Sequence, residues 1–158
     1  MLFTAINLKT IIVFMKLLVQ RVSRAEVKVD AKQVAKIKKG YLVLAGIHKN
    51  DDEKKAAEMA EKLINLRVMA DESGKMNLSV KEVRGEILVA SQFTLYADTK
   101  SRRPGFTKAA KGDKAKRLYN YFISKLKDSK LKVESGVFGA YMQVYLQNEG
   151  PVTVILEN

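Results

Sequence analysis

Two apolar stretches constrain the fold of this chain more than any other feature. They read YLVLAGI at residues 41–47 and EILVASQFTLYAD at residues 86–98, where the second stretch turns polar after Ala90. A strand with one solvated face alternates apolar and polar residues, whereas a strand that is buried on both faces is apolar throughout. Both stretches therefore predict central strands that other elements must cover.

Two amphipathic segments can provide that cover. Residues 51–65 repeat apolar side chains at helical spacing, and Asn50 with Glu53 has the form of a capping box. Asp113 can cap a second helix. The apolar stripe of this second helix comprises Ala115, Leu118, Tyr119, Phe122, Ile123 and Leu126. We expect two helices packed on one sheet.

The remaining apolar segments predict further strands. Residues 16–38 alternate in patches around a turn at Asp30 and Ala31, which is typical of antiparallel strands. AYMQVYLQ and PVTVILE predict the last two strands, separated by Gly150 and Pro151, where proline should mark a bend or an exposed edge. Strands and helices interleave without a strict βα period. The predicted fold is α/β, with a mixed, curved, barrel-like sheet and two main helices.

The 158 residues fit one domain. Residues 1–14 precede a second methionine, Met15, and lack the charged start and the small-residue cleavage site of a signal peptide. We expect residues 15–158 to form the domain, and residues 1–14 to be a leader or a misassigned start. No apolar run approaches the roughly 20 residues that a membrane helix needs. We therefore expect a cytoplasmic protein without a membrane partner.

The chain has no cysteine and one histidine, His48. Thiol catalysis, disulfides and cysteine-ligated zinc are thereby excluded, and so is a multi-histidine metal site within one chain. A Ser-His-Asp site would have to use His48, which lies in the polar loop HKNDDEK and is most simply a solvated side chain there. We expect no metal site and no cofactor.

The charge of the chain favours a polyanionic partner. Lys and Arg number 29 against 17 Asp and Glu, a formal net charge of +12, which is typical of proteins that bind nucleic acid. Basic residues are crowded in the run KSRRPGFTKAAKGDKAKR at residues 100–117, which contains Arg102, Arg103 and Lys108. Contact with phosphates is a natural use of such a run, and a solvated basic loop is the alternative.

Polar side chains follow the second apolar stretch. Ser91, Gln92 and Thr94 stand where the strand ends, and ligands tend to bind at strand ends in mixed sheets. The alternative interpretation is a strand that frays into a loop. The residues alone leave both interpretations open.

Six motifs make the chain resemble the D-aminoacyl-tRNA deacylase family from Met15 to the C-terminus. They are QRVSRAEV, GKMNLSV, SQFTLYAD, RPGF, GVFGAYMQV and NEGPVT. The resemblance implies a homodimeric carboxylic ester hydrolase that cleaves the ester between a D-amino acid, or glycine, and the 3′-terminal adenosine of tRNA. It also implies that the Gly150–Pro151 peptide bond is cis, and that its loop reaches into the partner subunit's active site as a gate against L-amino acids.

With this resemblance, individual residues receive roles. The catalytic candidates are Gln92, Phe93 and Thr94, and Ser91 and Phe138 would line the adenosine pocket. The guanidinium of Arg21 can donate to loop carbonyls and would anchor the gate, with an ordinary strand-edge arginine as the alternative. From the basic run, Arg102, Arg103 and Lys108 would contact tRNA phosphates. An aminoacyl ester is already activated, so orientation and oxyanion stabilisation can suffice for its hydrolysis. Thr94 has the chemistry of a nucleophile, but no base is visible to activate it, so we favour orientation.

Two functions from other classes remain as alternatives. A noncatalytic RNA-binding module is favoured by the charge, and a small esterase for a non-RNA substrate is favoured by the polar strand end. Hydrolysis of charged tRNA would exclude the first alternative. Dependence on the terminal adenosine of the tRNA would exclude the second.

Overall fold

A computed structural model describes residues 14–157 of the chain, so the leader expected at residues 1–14 lies outside the described residues except for Phe14. In chain order the elements are β1 (Lys16–Val29), β2 (Lys32–Ile37), β3 (Gly40–Gly46), α1 (Glu53–Asn65), β4 (Met69–Ala70), β5 (Met76–Leu78), β6 (Glu86–Ser91), a 3-10 turn (Phe93–Tyr96), α2 (Gly112–Lys127), β7 (Val133–Ser135) and β8 (Gln143–Glu157).

One mixed sheet dominates the fold. Its strand order is β2-β1-β3-β6-β7, with β8 paired to β1, and β4 and β5 form a separate hairpin. The β3–β6 and β6–β7 pairs are parallel, whereas β1 pairs antiparallel with β2, β3 and β8. β3 and β6 lie in the middle of the order and are almost entirely buried, as their apolar sequences predicted. The mixed sheet is confirmed.

The sheet curves until its two ends approach each other. The Lys132 ammonium, just before β7, donates to the carbonyl of Lys36 in β2 at 3.1 Å. The same ammonium lies 3.5 Å from the Glu86 carboxylate of β6. The curved, barrel-like sheet with two helices is therefore confirmed.

The two helices cover the sheet with the stripes that the sequence predicted. The buried side chains of α1 are Ala56, Met59, Ala60, Leu63 and Ile64, and those of α2 are Ala115, Leu118, Tyr119, Phe122, Ile123 and Leu126. They join β3 and β6 in one hydrophobic core. Within residues 14–157, no helix has both the length and the apolarity to cross a bilayer.

Both predicted helix caps are wrong. The carboxylate of Asp52, not the side chain of Asn50, caps α1 by accepting the amide of Lys55 at 2.8 Å. Helix α2 begins at Gly112, whose φ of 56° brings the chain into the helix one residue before Asp113. Asp113 therefore lies in the first turn, where its negative charge faces the positive end of the helix dipole.

The last two predicted strands are one strand in the structure. β8 runs from Gln143 to Glu157 because the 14-residue strand β1 offers partners along its whole length. Gln20 pairs with Thr153 and Val22 pairs with Asn148, so residues 149–152 lie opposite Arg21 alone. Proline has no N–H to donate, and it is tolerated there because the residues of a bulge do not take part in the hydrogen bonds between the two strands. The Gly-Pro pair thus marks a bulge within a strand instead of separating two strands.

Candidate functional site

A cavity of about 330 Å³ lies where β3 and β6 end and α2 begins. Its lining is mostly apolar and comes from four separate parts of the chain. The lining residues are Ala45, Ile47, Ser91, Gln92, Phe93, Phe106, Ala109, Ala110, Lys111, Gly112, Ala115, Phe138 and Gly139. The structure therefore brings together four of the residues that the sequence selected: Ser91, Gln92, Phe93 and Phe138.

Gln92 and the first residue of the 3-10 turn, Phe93, line one side of this cavity. The amide of Gln92 donates to the Ala45 carbonyl at 2.8 Å, which extends β6 along β3 by one residue. Phe93 and Thr94 then leave the sheet and are exposed. The side-chain amide of Gln92 donates to the Thr94 hydroxyl. The strand end is thus an ordered turn, and it does not fray.

Aromatic rings form two walls of the cavity. Phe93 and Phe106 meet edge to face with centroids 5.1 Å apart, and Phe138 packs against Tyr119 at 5.4 Å. Flat aromatic surfaces of this kind can hold a planar nucleobase. Sequence reasoning missed Phe106; its only signal was its place in the RPGF motif, to which no role had been assigned.

His48 is buried, with 6% of its surface exposed, so the prediction of a solvated side chain is wrong. Its Nδ1 accepts the amide of Asn50 at 3.1 Å. Burial, together with the positive charges of Lys49, Lys108 and Lys114, lowers the pKa of His48. The imidazole therefore stays neutral and fixes its own loop, which is a structural role.

Asp51 supports the same loop from the inside. Its carboxylate accepts the amide of His48 at 2.7 Å and the amide of Met15 at 3.0 Å. Burial raises the pKa of Asp51 to about 6. In the part of the chain that the structure describes, no group of three or more His, Cys, Asp or Glu side chains is arranged to hold a metal ion.

The loop at residues 149–152 is fastened to the sheet by Arg21. The guanidinium donates from Nε to the Glu149 carbonyl and from Nη1 to the Val68 carbonyl, both at 2.9 Å. The Gly150–Pro151 peptide bond is cis. Gly150 has a φ of 127°, and a Cβ there would lie 3.1 Å from Arg21 Nη2, so only glycine fits. Both Gly150 and Pro151 are exposed.

The basic run leads directly into the cavity. Arg102, Arg103 and Lys108 are exposed, and the loop that holds the two arginines is closed by mutual backbone hydrogen bonds between Asp98 and Gly105 at 2.8 and 3.0 Å. Lys111, farther along the run, lines the cavity itself. Positive charge is therefore present both at the cavity and on the surface beside it.

The chain is similar to known proteins along almost its whole described length. The family model described as D-Tyr-tRNA(Tyr) deacylase matches residues 18–157. A D-aminoacyl-tRNA deacylase of Thermosipho melanesiensis is 51% identical over 146 residues, which cover 91% of this chain and 97% of the relative. The D-aminoacyl-tRNA deacylase of Finegoldia magna is 52% identical over 145 residues, with coverages of 91% and 98%.

Two solved structures have the same fold. The protein named c-Myc DNA Unwinding Element Binding Protein superposes with a TM-score of 0.85 at 44% identity, and covers 90% of this chain and 98% of its own. A probable eukaryotic D-amino acid tRNA deacylase superposes with a TM-score of 0.82 at 16% identity, over 91% and 99% of the two chains, and shows the fold alone. Because the family model spans nearly all described residues and the relatives match over almost their full length, this chain belongs to the D-Tyr-tRNA(Tyr) deacylase family.

Proposed function

We propose that this chain hydrolyses the ester bond of D-aminoacyl-tRNA and glycyl-tRNA to the free amino acid and tRNA, and rejects L-aminoacyl-tRNA. Membership of the family makes it a D-aminoacyl-tRNA deacylase, a hydrolase with a tRNA substrate. The observation that carries the proposal is the aromatic cavity whose lining also includes the polar side chains of Ser91 and Gln92. It offers an apolar place for a base beside polar groups for an ester.

In this proposal the terminal adenosine of the tRNA enters the cavity. Its base lies against the rings of Phe93 and Phe138, and Ser91 hydrogen-bonds the nucleoside. The ester carbonyl then lies beside Gln92, whose side chain hydrogen-bonds to Thr94 in the turn. The first amides of a helical turn have no intrahelical partner, so the N–H groups of Phe93 and Thr94 are suited to an oxyanion.

We further propose that two copies form the working enzyme. Strand β8 carries exposed apolar side chains, among them Tyr145, Leu146 and Ile155, and such a surface suits a two-fold contact. The loop at residues 149–152 would enter the partner's cavity and hold the amino group of the substrate with its carbonyls. An L side chain would then clash with the loop, whereas glycine has no side chain to exclude. Sedimentation of a fully active monomer would contradict this arrangement.

The domain in this proposal is residues 15–158, acting in the cytoplasm where tRNA is charged. Incubating the purified protein with D-Tyr-tRNA, L-Tyr-tRNA and Gly-tRNA tests the function directly. We expect loss of the D-tyrosyl and glycyl esters and survival of the L-tyrosyl ester. An ester of D-tyrosine with a simple alcohol, which lacks the terminal adenosine, should not be hydrolysed.

A noncatalytic nucleic-acid-binding protein is the second candidate. The net charge of +12 favours it, and one structural relative at 44% identity is named for binding DNA. Under this alternative, tRNA would bind with equal affinity whether charged or not, and all three esters would survive. Turnover of D-Tyr-tRNA rejects it.

Neutralising two arginines of the basic run should weaken tRNA binding. We expect the double variant Arg102→Gln with Arg103→Gln to reduce the slope of log affinity against log salt by about 2, because each phosphate contact releases about one counterion. The loss should be equal for D-charged, L-charged and uncharged tRNA. Filter binding at several salt concentrations measures the slope.

The matched control neutralises Lys127 and Lys130, also exposed, near the far end of α2. Helix α2 begins at the cavity, and its 16 residues put these lysines about 24 Å farther along the helix axis. The control should keep the wild-type slope. Equal slopes for both double variants would mean that the run is only a solvated face.

Thr94→Ala should retain more than about a tenth of the wild-type kcat, because the proposal uses the backbone of Thr94 instead of its hydroxyl. Among the described residues the Thr94 hydroxyl accepts from Gln92, and neither a carboxylate nor an imidazole hydrogen-bonds to it. Single-turnover kinetics on D-Tyr-tRNA measure the effect, with Thr94→Ser as control. A fall of about 10³-fold at unchanged affinity, or an acyl-enzyme trapped on the wild type, would make Thr94 the nucleophile.

A further inference from the structure

The turn Phe93–Tyr96 rests on a glycine. A Cβ at Gly46, the last residue of β3, would lie 2.9 Å from Tyr96 Cε2, 3.2 Å from the Gln92 carbonyl oxygen and 3.3 Å from Leu95 Cβ. All three atoms belong to the turn or to the residue before it. Gly46 has no positive φ, so its backbone conformation does not require glycine. The missing side chain instead allows the turn to approach the sheet closely.

Tyr96 holds the other side of the same turn. Its side chain is buried, and its hydroxyl lies 2.5 Å from the Phe14 carbonyl oxygen and 3.3 Å from that of Gly46. Burial raises the pKa of Tyr96, so the phenol keeps the proton that it donates. The ring also meets His48 edge to face at 5.5 Å. The last residue of the turn is thus fixed from several directions.

A third contact completes this support. The Lys16 ammonium donates to the Leu95 carbonyl at 3.4 Å and lies 5.4 Å from the centre of the Tyr96 ring. One turn of 3-10 helix has too few hydrogen bonds to keep a position by itself. The buried end of the turn is therefore what fixes its exposed end, where Phe93 lines the cavity and Thr94 follows it.

We propose that Gly46 and Tyr96 are positioning residues for ester hydrolysis: together they set the height of the turn above β3, and thereby the place of the Phe93 and Thr94 amides at the ester carbonyl. This inference rests on the proposed function. Neither residue touches the substrate. Their effect passes through the turn, so it lowers the rate of the chemical step, while the phosphate contacts that supply most of the tRNA affinity stay in place.

Two substitutions test the proposal in full-length protein. Gly46→Ala should push the turn outward and lower kcat for D-Tyr-tRNA about 100-fold, the effect of a displacement near 1 Å at a reacting centre. Tyr96→Phe keeps the ring and removes the hydroxyl, and should lower kcat about tenfold. KM should stay within about twofold for both variants.

Tyr41→Phe is the matched control. Its side chain is also buried, and its hydroxyl donates to a backbone carbonyl, that of Leu66, at 3.3 Å. Tyr41 lies near the start of β3, whereas Gly46 is its last residue. Tyr41→Phe should lower the unfolding temperature about as much as Tyr96→Phe does and leave kcat unchanged. All kinetics are measured well below the unfolding temperatures of the variants. If Gly46→Ala does not fold, the comparison of Tyr96→Phe with Tyr41→Phe decides.

The outcomes separate the two levels of inference. A wild-type protein that hydrolyses no D-aminoacyl ester would reject the proposed function itself. If the wild type is active, three results would overturn the positioning role and leave the proposed function standing: an unchanged kcat in Tyr96→Phe, an equal fall of kcat in Tyr41→Phe, or a rise in KM alone. A fall in kcat confined to Gly46 and Tyr96 variants supports it.

Discussion

Replacing Arg21 by alanine is expected to reduce the preference for D- over L-aminoacyl esters by about 100-fold. A hydrogen bond from a charged group contributes about 1.5–3 kcal/mol, and 1.4 kcal/mol is a factor of ten. Arg21 makes two such bonds, one of them to the carbonyl of Glu149 in the proposed gate. Without them the loop at residues 149–152 has no partner opposite it on β1 to hold its position. The measurement is kcat/KM for D-Tyr-tRNA and for L-Tyr-tRNA.

Arg67→Ala is the matched control for this experiment. Its guanidinium also binds a backbone carbonyl, that of Asn77, at 2.7 Å, but does not contact the loop. We expect its D/L ratio to be that of the wild type. Arg21→Lys should restore little, because an ammonium cannot reproduce the two diverging donors of a guanidinium. Wild-type discrimination in Arg21→Ala would show that the loop is not a gate that Arg21 anchors.

Gly40→Ala is expected to destabilise the protein by about 3 kcal/mol or more, a large share of the 5–15 kcal/mol typical of a domain. Gly40 begins β3 and pairs with Glu86 of the parallel strand β6. A Cβ at Gly40 would lie 1.8 Å from the Glu86 carbonyl oxygen and 2.6 Å from its nitrogen. Both are backbone atoms of a central strand, so relief requires the two central strands to separate. Urea denaturation followed by circular dichroism gives the free energy of unfolding.

Gly105→Ala serves as the control, because a Cβ there would have nothing within 4 Å. Its free energy of unfolding should stay within about 0.5 kcal/mol of the wild type. The same small change in Gly40→Ala would mean that β3 and β6 do not pack as closely as the structure has them.

The sequence predicted those parts of the fold that depend on local pattern. The two apolar stretches became β3 and β6, and the buried side chains of α2 were anticipated one by one. The start of α1 was missed because Asn50, Asp51 and Asp52 all can cap a helix. Tertiary contacts decide among them: Asp51 is buried beneath Met15 and His48, which leaves Asp52 as the cap.

The continuity of β8 could not be predicted for a related reason. Local sequence rules predict that a strand ends at Gly150 and Pro151. In the structure β8 continues past them, because residues of β1 pair with β8 on both sides of the bulge. The cavity likewise contains residues that a local motif indicates and one that only the folding of a distant loop brings into place. Ser91 and Phe93 were found from their motif, but Phe106 joins Phe93 only after Asp98 and Gly105 close the intervening loop.

The bulge opposite Arg21 separates two kinds of evolutionary change. Residues 149–152 lie outside the ladder, while their neighbours Asn148 and Thr153 are paired on either side. An insertion or deletion within the bulge can therefore alter the reach of the loop without moving any other residue of the sheet. A one-residue change within β1 would instead turn every following side chain to the opposite face. For the proposed gate, this means that selectivity can diversify by small changes of loop length, while the framework that presents the loop stays constant.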